Sequence, residues 1–266
     1  MRIILYALVV ISLIACRESE TQSKSEKKIM DQAFQKAAPL ASVEKMEQAH
    51  GKKIFSDREA VKFDLHLKFR GKDRLDATIY MLTDSQKVRV NNADGTSILF
   101  DGKDIWYNGE SGKDASARFD VLTWSYFFAL PFKVTDPGTN IKTMDSSPEF
   151  EKLKLTFQGN IGDTPQDWYH LFVDKQSHLL NASGYIVTYG DVDVEKAEKN
   201  AHAIVYKKYE NVEGVHFAAA WSFHNYKDNN IEKNVTIGSA ELKEIEFGTF
   251  NDQFDIPQGS HKIKVD

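Results

Sequence analysis

Val61-Lys62-Phe63-Asp64-Leu65-His66-Leu67-Lys68-Phe69 alternates without a break between apolar and polar side chains. Successive side chains of a β-strand point to opposite faces. The period of two therefore puts Val61, Phe63, Leu65, Leu67 and Phe69 on one face and Lys62, Asp64, His66 and Lys68 on the other. One face is buried and one is wet, as in an antiparallel sheet that covers a core on a single side. Going outward, Leu75, Ala77, Ile79 and Met81 repeat the pattern, and Val88 with Val90 continues it more briefly. Next, Ser97-Ile98-Leu99-Phe100 and Ile105-Trp106-Tyr107 flank Asp101-Gly102-Lys103-Asp104, a tight hairpin with glycine at a turn position.

A second strand series is expected at residues 153–157, 168–173, 179–188, 203–209, 215–226 and 237–247. Turn signals separate its members, among them Asp174-Lys175-Gln176-Ser177, Asn211-Val212-Glu213-Gly214 and Asp228-Asn229-Asn230. Strands at hairpin distances make an antiparallel meander the economical topology. The expected fold is mainly β with a few helices, on one sheet. Ile79, Trp106, Phe157, Phe217, Trp221 and Phe223 should join the apolar face of Val61 to Phe69.

The helical signals are few. Residues 29–38 are weakly helical until Pro39 interrupts them. Ser42 offers an N-cap to a helix at 43–50, with Gly51 as its stop. Between the two strand series, residues 119–137 are unusually apolar. Asp120 is placed to cap a helix carrying Trp124, Phe127, Phe128 and Leu130, Pro131 should end it, and Phe132 follows. Two readings fit this segment: a core helix beneath the sheet, since helices apolar all round are buried, or a lid whose second face covers an apolar cavity.

At the N-terminus, Arg2 precedes an uncharged run from Ile3 to Ile14, and Leu13-Ile14-Ala15-Cys16 resembles the lipobox of bacterial lipoproteins. Twelve apolar-dominated residues rise only about 18 Å as a helix, too short for a bilayer core of about 30 Å. Residues 1–15 are therefore read as a cleaved secretory signal, Cys16 as the lipidated first residue, 16–28 as lipidated cysteine plus charged, serine-rich tether, and 29–266 as one domain. Cys16 is the only cysteine, so no intramolecular disulfide is available and the fold rests on its core. With 39 acidic against 34 basic residues the chain has no electrostatic footprint for nucleic acid.

Chemistry is sparse. The chain has no GxSxG elbow, phosphate-binding loop, HExxH, CxxC or EF-hand pattern, so neither an enzyme nor a cofactor or metal is expected. His202, His216 and His224 are the nearest thing to a histidine cluster, but His216 and His224 lie about 27 Å apart along one strand and read as surface residues. Asp191, Asp193 and Glu195 fall in a hydrophilic stretch, 191–200, that reads as a solvated loop.

The order of elements, the run Ser97-Ile98-Leu99-Phe100-Asp101-Gly102-Lys103-Asp104-Ile105-Trp106-Tyr107, the pair Val173-Asp174 at a turn, and the terminal Phe254-Asp255-Ile256-Pro257-Gln258-Gly259 together resemble the LolA/LolB-like superfamily of periplasmic lipoprotein carriers and receptors, over roughly residues 40–262. The resemblance implies an incomplete, strongly curved β-barrel whose concave apolar face is closed by short helices and receives acyl chains. Trp124, Phe127, Phe128, Leu130 and Phe132 would then supply the lid, and Phe63, Leu65, Leu67, Trp106, Trp221 and Phe223 the cavity wall. The lipobox departs from the soluble carrier and matches the membrane-anchored receptor. For the carrier's lid-locking arginine no counterpart aligns, although Arg89 lies in the corresponding region.

The expected function is a monomeric lipoprotein held on the membrane through Cys16, with an acyl-chain or lipoprotein ligand. Arg17 stands where enteric inner-membrane lipoproteins carry aspartate, which points to the outer membrane, facing the periplasm. The alternative is an envelope sensor or scaffold that binds protein with the same fold.

Overall fold

The computed structural model describes residues 39–159, 162–190 and 192–263. The expected signal, Cys16, the tether and the helical stretch 29–38 lie outside them. Contacts divide the chain into Met1–Ser42 and Val43–Asp266. Of the first unit, residues 39–42 are described, and they are helical. Ser42 therefore stands within a helical run instead of capping one. In the second unit the helical residues 43–50 (α1) stop at Gly51, whose φ of 80° is left-handed. A Cβ at Gly51 would lie 2.5 Å from the Gly214 carbonyl oxygen, so the stop doubles as a point of close backbone approach.

After α2 (Lys52–Ser56) come β1 (Ala60–Phe69), β2 (Lys72–Leu82), β3 (Val88–Asn92), β4 (Ser97–Phe100) and β5 (Ile105–Tyr107). The long helix α3 (Asp114–Lys133) leads to β6 (Thr139–Thr143), β7 (Phe150–Phe157), β8 (Tyr169–Asp174) and β9 (Leu180–Tyr185). A short helix α4 (Val194–Lys199) precedes β10 (His202–Val212), β11 (Val215–Lys227), β12 (Asn230–Ile231), β13 (Gly238–Gly248) and β14 (His261–Lys262). Among the described residues fourteen strands form one antiparallel sheet, in the order β14-β5-β4-β3-β2-β1-β13-β11-β10-β9-β8-β7-β6, with β12 added to β11. The expected strands are all present. The short β6, β12 and β14 were not anticipated, because two to five mostly exposed residues leave no periodic signal.

The sheet is two meanders fused in the middle, where β1 pairs with β13 from Ala60–Gly248 to Phe69–Gly238. β5 lies beside one margin, next to β14, while β6 is the other margin, so α3 must carry the chain from one side of the sheet to the other. Flat, thirteen strands about 4.8 Å apart would span roughly 58 Å. Yet α3, about 10–12 Å across with its side chains, contacts strands from β1 and β2 in the centre to β5 on one side and β7 on the other. A flat sheet cannot do that. The sheet wraps around the helix without closing, since β6 and β14 do not pair.

Along β1 the expected alternation holds: Val61, Phe63, Leu65 and Leu67 are fully buried, whereas Lys62, Asp64, His66 and Lys68 are half-exposed or exposed. Trp106 differs from expectation. Ile105 and Tyr107 take the helix side, so the pleat turns Trp106 outward. There its indole N–H donates to Asp101 (2.8 Å) and its ring joins Leu99 and Phe254 in a small outer cluster. A second outer cluster gathers Trp168, Phe172 and Tyr226 beneath α4. Within the stretch expected as a solvated loop, Val194–Lys199 form that helix, with Asp193 accepting from the Glu195 and Lys196 amides and Ala197 turned inward. His224 is also buried rather than on the surface: the chain after β12 covers it, and its ring meets Ser222 Oγ and the Val235 carbonyl.

Buried His50 ties α1 to the sheet. The Leu180 amide donates to its Nε2 (3.0 Å), so Nδ1 carries the proton and donates to the His216 carbonyl (3.1 Å). Burial lowers the His50 pKa to about 4, and burial likewise lowers that of His170, stacked on Trp168, to about 4. Both histidines fold neutral, so the unfolded chain binds more protons between their folded values and the ordinary 6.5. Their contribution is complete above pH 6.5 and lost as the pH falls toward 4. Urea unfolding from pH 7 to pH 4 should show a loss on the order of 2–3 kcal/mol per histidine, and a His50→Gln variant should lose less over the same range. A stability independent of pH there would contradict this assignment.

Candidate functional site

α3 is longer than its signals indicated. Asp120 lies inside it rather than at its cap, and Pro131 lies within the last turn rather than beyond it. Each displaced signal has another task. Asp120 is buried, and its carboxylate takes both guanidinium nitrogens of Arg74 (2.8 and 3.0 Å) and the indole N–H of Trp124 (2.8 Å). Burial lifts the Asp120 pKa, with Arg74 pulling against it. Arg74 reaches the helix because β2 carries a bulge: Leu67 pairs with Leu75 and Lys68 with Asp73, leaving Arg74 as the extra residue. Arg89, which does not align with the carrier's lid-locking arginine, bonds to Asn91, Ser97 and the Asp255 carbonyl.

Pro131 has no N–H for the Phe127 carbonyl four residues earlier. The hydroxyl of buried Tyr206 on β10 donates to that carbonyl instead (3.0 Å). Just past the helix, Glu47 of α1 accepts from the Thr135 amide (3.1 Å) and hydroxyl (2.8 Å) and pairs with Lys52 (2.8 Å). The helix is thus fastened near both ends.

Its inner face is packed solid. Phe128 lies stacked between Phe63 (4.0 Å between centroids) and Phe217 (4.9 Å), Phe132 stacks on Phe55 (4.1 Å), and Trp124 meets Phe223 edge-on. Near Phe128 and Phe132 the remaining space is about 10 Å³, room for a water molecule at most.

The outer face is different. A groove of about 590 Å³ runs over α3 between the two sides of the sheet. Arg118, Phe119, Leu122, Tyr126 and Lys133 of the helix form its floor. Val88, Phe100 and Ile105 line one wall, and Phe157, Tyr169 and Tyr185 the other. Arg118 to Lys133 spans about 22 Å of helix. Charged pairs mark the two ends, Arg118 with Asp163 and Lys133 with Asp136. The volume is that of a small-molecule site, and the lining is mainly apolar.

Of the expected lid residues, Phe127 borders this groove, while Trp124, Phe128, Leu130 and Phe132 are buried in the interior. Phe63, Leu65, Leu67, Trp221 and Phe223 form the wall that α3 packs against, and Trp106 faces away. The open space is on the far side of the helix from the one expected. Leu122, Tyr126 and Phe157 line it without having been singled out as site residues. The spacing Arg118, Leu122, Tyr126 marks one helix stripe, but a segment apolar on nearly every side does not announce which stripe faces out.

No family model matches the chain, and no curated protein does either. Solved structures do. A LolA superfamily protein from Nitrosomonas europaea superposes with a TM-score of 0.53 at 11% identity, over 81% of this chain and 96% of that one. A DUF1329 family protein from Desulfovibrio piger gives 0.50 at 11% identity, over 82% and 97%. The likeness is one of fold: a large open antiparallel sheet with few helices, as in LolA superfamily proteins.

The Tyr206 contact has a measurable consequence. Tyr206→Phe leaves the Phe127 carbonyl unpaired and should cost about 1–3 kcal/mol in urea unfolding. In a Pro131→Ala background the restored amide of residue 131 can serve that carbonyl, so the same substitution should cost less than about half as much. Equal losses in both backgrounds would show that the hydroxyl does not compensate for the proline.

Proposed function

We propose that this protein is an envelope lipoprotein that holds the acyl chains of a lipid or lipoprotein in the groove over α3. The observation that carries the proposal is the groove itself, an apolar channel of about 590 Å³ floored by Phe119, Leu122 and Tyr126. Burying a methylene yields about 0.8 kcal/mol, so a sixteen-carbon chain offers on the order of 12 kcal/mol before ordering costs. A polar cleft has no such source of affinity. Cleavage after Ala15 and acylation of Cys16 would anchor the domain, because several chains on one residue give stable attachment where one is marginal. Residues 17–28 would serve as the tether, and the outer membrane, facing the periplasm, is the proposed location. No helix among the described residues is long and apolar enough to cross a membrane.

The fold likeness supports an acyl role by way of the superfamily resemblance, and the packed inner face of α3 moves the proposed site to its outer face. One feature favours the protein-binding alternative: β6 is a sheet margin with exposed Asn140, Lys142 and Thr143, open to strand addition.

Protein purified from native membranes should carry an acyl lipid detectable by mass spectrometry. Once delipidated, it should gain several degrees of melting temperature on adding hexadecanoate. Leu122→Asp should weaken that gain at least tenfold in concentration, since a charge facing the chain is costly to desolvate. Absence of both co-purified lipid and a thermal shift would end the acyl reading.

A further inference from the structure

We infer that the groove selects acyl ligands bearing hydrogen-bond-accepting oxygens, such as ester carbonyls or a carboxylate, through two donors on α3: the Tyr126 hydroxyl and the Arg118 Nε–H. This deepens the acyl-binding reading and rests on it. Among the described residues, four side-chain polar atoms are sealed from solvent without a hydrogen-bond partner: Asn92 Oδ1, Arg118 Nε, Tyr126 Oη and His170 Nε2. Buried polar groups are nearly always paired, so each exception calls for an explanation. Two of the four belong to residues of the groove floor.

Those two share more than a location. Both are donors where an acceptor is missing, and both lie on one stripe of α3, with Leu122 between them at the i+4 position from each. Arg118 already gives an Nη2 hydrogen bond to Asp163, so its charge is balanced there, and Nε–H is its buried donor without a partner. Tyr126 is held by its ring, against Tyr169 (5.3 Å) and Phe157 (6.4 Å), and its hydroxyl has no such anchor. The two residues stand about 12 Å apart along the helix axis. That spacing suits an amphiphile with a polar head toward Arg118 and a carbonyl farther along the chain. A bare hydrocarbon offers neither donor a partner, and a cationic head repeats the mismatch.

Calorimetric titration of the full chain with dodecanoate and with dodecyltrimethylammonium, both below their micellar concentrations, compares the same chain with an accepting and a non-accepting head. Dodecanoate should bind at least about tenfold more tightly, the difference that hydrogen bonds to a charged acceptor make. Tyr126→Phe should shrink the gap about fivefold, and Arg118→Gln should shrink it further. Unliganded Tyr126→Phe should melt no lower than the wild type, since only an unpaired hydroxyl is removed. Equal affinities in the wild type would overturn this inference while leaving acyl binding intact. Binding of neither amphiphile would overturn both. A lowered melting temperature of Tyr126→Phe would show that the hydroxyl is already satisfied and would remove it from the proposal.

Discussion

Everything in this fold depends on one helix that is apolar nearly all round. α3 cannot remain in water with Val121, Trp124, Phe127, Phe128, Leu130 and Phe132 around its circumference, and one flat sheet can cover only one side of it. The antiparallel sheet resolves this by wrapping, so that strands remote in the sheet order, such as β4 and β9, both reach the helix. The two meanders are joined at β1 and β13 beneath the helix, and the wrapping leaves the sides of the sheet standing as walls above it. Core and groove are therefore two faces of one packing solution. Register irregularities in the β1–β2, β1–β13 and β8–β9 pairs are the local means of bending it.

The helix also shows how breaches of local rules are offset by tertiary contacts. Pro131 within the last turn leaves a carbonyl without its donor, and Tyr206 supplies one from the sheet. Asp120 brings a carboxylate into an apolar interior, and the β2 bulge lets the partly exposed Arg74 reach it in a two-point pair. Both groups stay satisfied only while helix and sheet remain together. Separating them would leave a carbonyl unpaired and strip the buried Asp120 carboxylate of its guanidinium partner at the same time, which makes the seating of α3 cooperative.

Much of the sheet was legible in the sequence because its strands are wet on one side. Where a single face is buried the period of two is unmistakable, as along Val61 to Phe69, and the turn residues between strands follow from backbone geometry. Trp106 was misplaced although the same alternation, applied to Ile105 and Tyr107, sends it outward. The limits of α3 were not legible, since the residues that look like its cap and its stop act through Arg74 and Tyr206, distant in sequence. The groove was least legible. An expectation drawn from apolar content and the superfamily resemblance chose Trp124, Phe128 and Phe132, which are apolar because they are core; the half-buried Leu122, Tyr126 and Phe157 form the lining, and only the wrapping of the sheet distinguishes the two sets. His224 and α4 were missed for a related reason: each depends on a segment that covers an otherwise outer face.

On the proposed reading acyl ligands lie on the outer face of α3, between the sides of the sheet, while the inner face stays a dry core. A sixteen-carbon fatty acid carrying a photoactivatable diazirine along its chain tests this directly, with the labelled residues mapped by peptide mass spectrometry after irradiation. Labels are expected on the groove residues Leu122, Tyr126, Phe157 and Val187. Labels concentrated instead on Phe63, Phe128 and Phe217, with the groove residues unmarked, would contradict that reading, because the ligand would then occupy the space that the stacked rings fill.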